Sequence, residues 1–151
     1  MLTITAHGAD AIDDAMVVMN QAFDPSFGEA WTASQCTGVL SMPGATMLLA
    51  RDDAVRGFAL LRIVADEAEL MLLAVSPDAR GQGIGRRLLR ESIKFAQQRG
   101  ATVYFLEVRQ DNPAIKLYHV EGLVPVGERR DYYRGNDGQR RNALTLRRTL
   151  D

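Results

Sequence analysis

The stretch Val75-Ser76-Pro77-Asp78-Ala79-Arg80-Gly81-Gln82-Gly83-Ile84-Gly85-Arg86 constrains this chain more than any other. A strand-like apolar run leads into it, and three glycines at alternate positions turn it. A helical pattern leaves it, with Ile84, Leu88, Leu89, Ile93 and Ala96 on one stripe. A strand that turns straight into a helix needs a sheet for the one and a layer packed on that sheet for the other. The first N–H groups of a helix have no partner within it and sit at the positive end of its dipole. Glycines let an anion approach that backbone without a Cβ in the way, and Arg80 and Arg86 add positive charge. In its physics this is a pyrophosphate site. A nucleotide P-loop needs Lys-Ser or Lys-Thr after its second glycine, and neither is present. The dinucleotide pattern Gly-x-Gly-x-x-Gly fails because Arg86 stands where its third glycine belongs. A glycine turn with no ligand remains the plainer alternative.

The remaining pattern predicts a mixed sheet. Residues 3–6 read as a first strand. Residues 11–22 read as a helix with Ile12, Met16, Met19 and Phe23 on one face, broken by Asp24-Pro25-Ser26-Phe27-Gly28. A second helix starts near Trp31-Thr32 and ends by Pro43-Gly44. Residues 47–50, 57–64 and 69–75 form an antiparallel meander around turns at Asp52-Asp53 and Ala65-Asp66-Glu67. A long helix over residues 83–99 ends at Gly100, and residues 101–108 form a strand. Residues 113–121 form a short helix, with Asn112 as N-cap and Pro113 in the first turn. Strands over residues 124–132 and 142–148 flank the turn Arg134-Gly135-Asn136-Asp137-Gly138. The expectation is one α/β (α+β) domain over residues 1–151. Its single, mostly antiparallel sheet has six or seven strands, with about four helices.

Charge is unevenly placed. Residues 1–79 carry 11 Asp/Glu against 3 Arg, and residues 80–151 carry 15 Lys/Arg against 8 Asp/Glu. The basic half suits a phosphate-bearing cofactor and the acidic half a cationic acceptor, unless both are simply solvated faces. The arginines have no aromatic stacking series among them, so nucleic acid is not the expected partner. No apolar run is long enough for a bilayer, and the N-terminus lacks the pattern of a secretory signal. A cytoplasmic location is the default, with no membrane partner. The lone Cys36 reads as a buried thiol. With only His7 and His119 besides, no metal site is expected.

Arg80-x-x-Gly83-x-Gly85 resembles the coenzyme A loop of the GNAT superfamily of N-acetyltransferases. Further stretches narrow the likeness: Asp66-Glu67-Ala68-Glu69-Leu70, Leu73-Ala74-Val75, Leu106-Glu107-Val108-Arg109, Asn112, Leu117-Tyr118, and Arg129-Arg130-Asp131-Tyr132-Tyr133 with Asp137-Gly138. Together they are similar to the RimI-type ribosomal-protein-alanine N-acetyltransferase branch. Trp31 before a helix is similar to that branch's Trp-containing segment. The chain departs from the branch in a shorter segment between Asn112 and Tyr118, in Leu123 where Phe is usual, and in the lead-in to Trp31.

The resemblance implies the GNAT fold and acetyl-CoA as co-substrate, with no metal. The implied acceptor is a protein or peptide N-terminus, such as that of a ribosomal protein, and the protein would act as a monomer or homodimer. Direct attack in a ternary complex is expected, since no Ser–His–Asp or Cys–His set is evident. Glu107 is the implied general base, with Glu69 as rival, and Tyr118 is the implied general acid. Leu73, Ala74 and Val75 would pair with the pantetheine arm as an added strand would. Arg80, Gly81, Gln82, Gly83, Ile84, Gly85 and Arg86 would hold the pyrophosphate, with Asn112 also on the coenzyme. Trp31, Glu69, Arg130, Tyr132 and Tyr133 would face the acceptor. Two other readings stay open: an acetyltransferase for a small amine, and a non-catalytic acetyl-CoA-binding module.

Overall fold

The computed structural model describes residues 1–23, 30–135 and 137–150. The break read at residues 24–28, and Asn136 of the last turn, lie outside them. The chain runs β1 (Thr3–His7), α1 (Ile12–Ala22), α2 (Ala33–Leu40), β2 (Ala45–Arg51), β3 (Val55–Val64), β4 (Glu67–Val75), α3 (Ile84–Gln98), β5 (Val103–Arg109), α4 (Ile115–Val120), β6 (Val124–Arg134) and β7 (Arg140–Thr149). All seven strands join one sheet in the order β1-β2-β3-β4-β5-β7-β6. Every neighbouring pair is antiparallel except β4 with β5. That parallel pair requires a crossover, and α3 supplies it.

Two apolar layers sandwich the sheet. On one face Ile12, Ala15, Val18 and Met19 of α1 and Cys36 and Leu40 of α2 pack on Met47, Leu49, Phe58 and Leu60. On the other face Ile84, Leu88, Leu89, Ile93 and Ala96 of α3, with Tyr118 of α4, pack on Leu48, Ala59, Leu61, Leu106 and Leu146. The stripe read from the sequence is thus the buried face of α3. For α1 the buried set shifts to include Ala15 and Val18, while Met16 and Phe23 stay half-buried. Cys36 is fully buried, and burial pushes its thiol up from its ordinary value, as an inert packing thiol requires.

Two boundaries differ from the sequence expectation. Helix α2 ends at Leu40, short of Pro43-Gly44. Helix α4 starts at Ile115 with Ala114 as N-cap, so Asn112 does not cap it. The Asn112 side-chain oxygen instead accepts the Ala114 N–H at 2.8 Å, closing a turn just before the helix, where Pro113 lies. Asparagine side chains do this whenever the backbone turns two residues on.

The feature that creates the site lies in the middle of the sheet. Leu61 pairs with Leu70 but Leu60 pairs with Leu72, so Met71 is an extra residue in β4. The bulge inverts the faces. Ala68 and Leu70 belong to the layer under α3, whereas Leu72 and Ala74 belong to the layer under α1. It also ends the pairing with β5. The two strands share only the rungs from Glu67–Val103 to Leu70–Leu106 and then part. Beyond Leu70, one edge of β4 has no strand beside it.

Candidate active site

Two joined clefts open where β4 and β5 part. One, of about 510 Å³, is lined by Trp31, Glu69, Met71, Glu107, Tyr132 and Tyr133 among others. The other, of about 560 Å³, is lined by Val75, Arg80, Gly81, Gly83, Ile84, Gly85 and Arg86 among others. Phe23, Leu73, Asn112 and Tyr118 border both. Residues far apart in sequence thus meet at one gap in the sheet.

The glycine loop forms as its sequence demands. Val75 ends β4, a single 3-10 turn spans Pro77–Ala79, and α3 begins after Gly83. Gly81 and Gly83 have φ of +82° and +77°, a region where a side chain is strained. A Cβ at either would meet no protein atom within 4 Å, so open space borders the loop. At Gly85 a Cβ would make only ordinary contacts, 3.5 Å from Val75 and 3.7 Å from Leu117. Neither strain nor crowding requires glycine there. No side chain caps α3, and its first main-chain bond runs from the Arg87 N–H to the Gly83 carbonyl at 3.1 Å. Ile84, Gly85 and Arg86 line the cleft, and their N–H groups have no acceptor among the described residues, the setting a pyrophosphate fits.

The two arginines beside the loop are held by the protein. Arg80 donates to the Ala22 carbonyl at 2.8 Å, at the negative end of α1. Arg86 donates to Glu121 at 2.9 Å, and Arg90 donates to the same oxygen at 2.8 Å. Burial works against ionisation of Glu121, but these two hydrogen bonds outweigh it and hold the carboxyl below its ordinary range. Both arginines still border the cleft. Gln82 is exposed in the loop.

Across the gap, Glu107 follows directly on Leu106, the last residue of β5 paired with β4. It stands at the first position past the parting of the strands. Its Oε1 lies 3.3 Å from Arg129 Nη2. Its Oε2 is buried and has no hydrogen-bond partner among the described residues. Glu69 lies one rung inside the last pair, opposite Phe105. Burial raises its carboxyl above the ordinary value, the negative charge of Glu107 adds to this, and Arg62 and Arg129 pull it back. Tyr118, 6% exposed on α4, stands on the border of both clefts.

A stability prediction follows from Glu69. Its folded-state pKa is raised, so at pH above the ordinary carboxyl value the fold holds a charge it disfavours. Below that value the group is neutral in both states and the penalty vanishes. Glu69→Gln is therefore expected to raise the urea midpoint at about pH 7, with the gain shrinking as pH falls below the raised folded-state value and gone by about 4.3, the ordinary value. A gain independent of pH, or a loss, would contradict this origin.

Of the residues expected to face the acceptor, Trp31, Glu69, Tyr132 and Tyr133 line the first cleft, and Arg130 is exposed on β6 outside it. Sequence reading missed Phe23, taken for a packing residue, and Arg109. Arg109 lines the second cleft, is only 4% exposed, and has Nη1 2.5 Å from Asp111. Its one sequence signal is an arginine at the end of a strand whose only other charged residue is Glu107.

The profile of the Acetyltransferase (GNAT) family matches residues 13–122. The chain belongs to this family. The [ribosomal protein bS18]-alanine N-acetyltransferase of Escherichia coli (strain K12) is 40% identical over 92 residues, which are 60% of this chain and 62% of that protein. The protein of the same name from Haemophilus influenzae is 36% identical over 98 residues, 65% of this chain and 67% of its own. The aligned stretch thus spans 62% of the length of the first relative. The crystal structure of the ribosomal-protein-S18-alanine N-acetyltransferase from E. coli superposes with a TM-score of 0.90. It covers 100% of this chain and 95% of that one, at 29% identity. The seven-stranded mixed sheet with four helices is the fold this GNAT protein shares. Among the described residues no helix is long and apolar enough to cross a membrane, and no cluster of His, Cys, Asp and Glu could hold a metal ion.

Proposed function

We propose that this protein, acting as one domain over residues 1–151, is an acetyl-CoA-dependent N-acetyltransferase. Its proposed acceptor is the N-terminal α-amine of a protein, in particular a ribosomal protein beginning with alanine. The observation that carries this reading is the position of Glu107. A carboxylate with one buried, unpartnered oxygen stands at the mouth of a gap whose other side is a glycine-loop cleft. The naming of the E. coli and H. influenzae relatives supports the choice of acceptor.

Acetyl-CoA, when bound, supplies the acetyl group as a thioester. The N–H groups at the start of α3 and the open loop at Gly81 and Gly83 would receive its pyrophosphate. The free edge of β4 at Leu73, Ala74 and Val75 would pair with the amide groups of its pantetheine arm. Glu107, through Oε2 or a water beside it, would take the proton of the acceptor ammonium. The Tyr118 phenol, bordering both clefts, would give a proton to the departing sulfur. Trp31, Tyr132 and Tyr133 would wall the acceptor, and Asn112 would stand at the junction beside Tyr118.

An α-amine has an unperturbed pKa of about 7.7–8.0 and a lysine amine one of about 10.4. Near neutral pH a usable fraction of the former is already neutral, so a single carboxylate suffices. A lysine would demand several kcal/mol more, at about 1.36 kcal/mol per pKa unit. A peptide beginning with free alanine and followed by basic residues is therefore expected to be acetylated at its N-terminus. Mass spectrometry after incubation with acetyl-CoA locates the mark. Acetylation of a small amine alone would promote the small-amine reading. Binding of acetyl-CoA with no acceptor modified would promote the non-catalytic one.

A further inference from the structure

One ion pair at the gap has no part in the acetyl transfer proposed above. Arg129 of β6 reaches Glu107 of β5 across β7, two strands away. The row it crosses is low: Glu107 pairs with Thr145 and Thr145 with Gly127, while Arg129 itself pairs with Ala143. The guanidinium lies 3.3 Å from Glu107 Oε1 and 5.2 Å from the centre of the Tyr132 ring. The Tyr132 and Tyr133 rings meet edge to face at 5.2 Å. A carboxylate with aromatic faces beside it is a cation site, and here the cation in it belongs to the chain itself.

The local backbone holds Arg129 at this place. The pairing of β6 with β7 slips between Arg129 and Tyr133, and Asp131 takes a φ of +54°. Asn142 secures the bend by accepting the Asp131 N–H at 3.0 Å and donating to Glu128 at 2.6 Å. Yet the Arg129 side chain is 59% exposed, so its pair with Glu107 is easily broken. Glu69 of β4, Tyr118 of α4 and Tyr132 and Tyr133 of β6 line the same cleft as Glu107, and Arg62 of β3 acts with Arg129 on Glu69. Of the two arginines, only Arg129 has an ion pair with Glu107.

We propose that Arg129 stands in for the acceptor ammonium, occupying the cation position on Glu107 until an acceptor amine displaces it, and thereby sets acceptor affinity. The proposal rests on the reading of this cleft as the acceptor site. It makes Arg129 a determinant of acceptor affinity, which holds the cation position on Glu107 in the absence of an acceptor and yields it to a cation alone. Displacement leaves Glu107 beside the ammonium whose proton it is to take.

Two measurements test this. In the first, alaninamide, a bare α-amine, is titrated into the wild-type protein. The Arg129 Nε–H resonance, assigned by its loss in Arg129→Gln, is followed by NMR. A saturable shift is expected, and an unmoved resonance overturns the proposal. In the second, steady-state kinetics use a peptide with a free N-terminal alanine. Arg129→Gln is expected to lower the acceptor KM about two- to five-fold, the range an exposed ion pair supports, with kcat held. Arg129→Lys is expected to keep the wild-type KM. A KM that rises or stays equal in Arg129→Gln overturns the proposal. Alaninamide that displaces Arg129 in a protein that acetylates no peptide would refute the peptide-acceptor reading and leave the cation site standing. Acetylation with the resonance unmoved would do the reverse.

Discussion

Glu107→Gln is expected to lower kcat by about 10²–10⁴-fold, the usual contribution of a positioned proton carrier, with acetyl-CoA affinity unchanged. The amide keeps the shape of the side chain and loses its ability to take a proton. Two carboxylates, Glu69 and Glu107, line the first cleft, and geometry separates them. Glu107 is the first residue of β5 beyond its pairing with β4, whereas Glu69 lies inside it. Glu107 also has the buried oxygen with no partner among the described residues. Glu69→Gln is therefore expected to retain most activity. Thiol release measured over acceptor and cofactor concentrations separates kcat from both KM values. Full activity in Glu107→Gln with loss in Glu69→Gln would move the base to Glu69. Tyr118→Phe, which fits the same buried position, should lose a similar factor through the leaving group.

Local signals were legible in the sequence, and signals made by distant strands were not. The glycine loop could be read because its strand, turn and helix are continuous and each follows from its own residues. Helix α3 could be read because Ile84, Leu88, Leu89, Ile93 and Ala96 repeat at helical spacing, and all five are buried. The bulge at Met71 could not. Around it Leu70, Met71, Leu72 and Leu73 are all apolar, since the strand is covered on both faces, and an apolar run does not reveal where alternation slips. The gap between β4 and β5 follows from that bulge, so the opening that brings Glu107, Tyr118 and the loop together had no pattern of its own. Glu107 and Tyr118 enter only through the resemblance, and the contact of Arg129 with Glu107 depends on a kink in β6 secured by Asn142, which no local pattern announces. At Arg80 and Arg86 the charge was read correctly, but its partners, the Ala22 carbonyl and Glu121, lie in other elements.

Gly83→Asp is expected to weaken acetyl-CoA binding by about 10- to 10³-fold, while the protein stays folded. The fold tolerates the change because a Cβ at Gly83 meets nothing within 4 Å, and aspartate is among the side chains best suited to a φ near +77°. An acid at the start of a helix is also favourable in itself. That favour is the reason for the loss of binding. The new carboxylate would compete for the N–H groups of Ile84, Gly85 and Arg86 that the pyrophosphate needs, and would repel its charge. Two unit charges about 4 Å apart interact by about 1 kcal/mol in water and about 4 kcal/mol near a protein surface, which sets the range. Gly83→Ala separates the causes, since it adds the Cβ and the strained φ without the charge. It should lose affinity by much less. Calorimetric titration of acetyl-CoA into the three proteins reads the effect directly, with thermal unfolding as the control for folding. Equal affinity in wild type and Gly83→Asp would remove the pyrophosphate from this loop, and equal losses in the two variants would assign the effect to backbone strain.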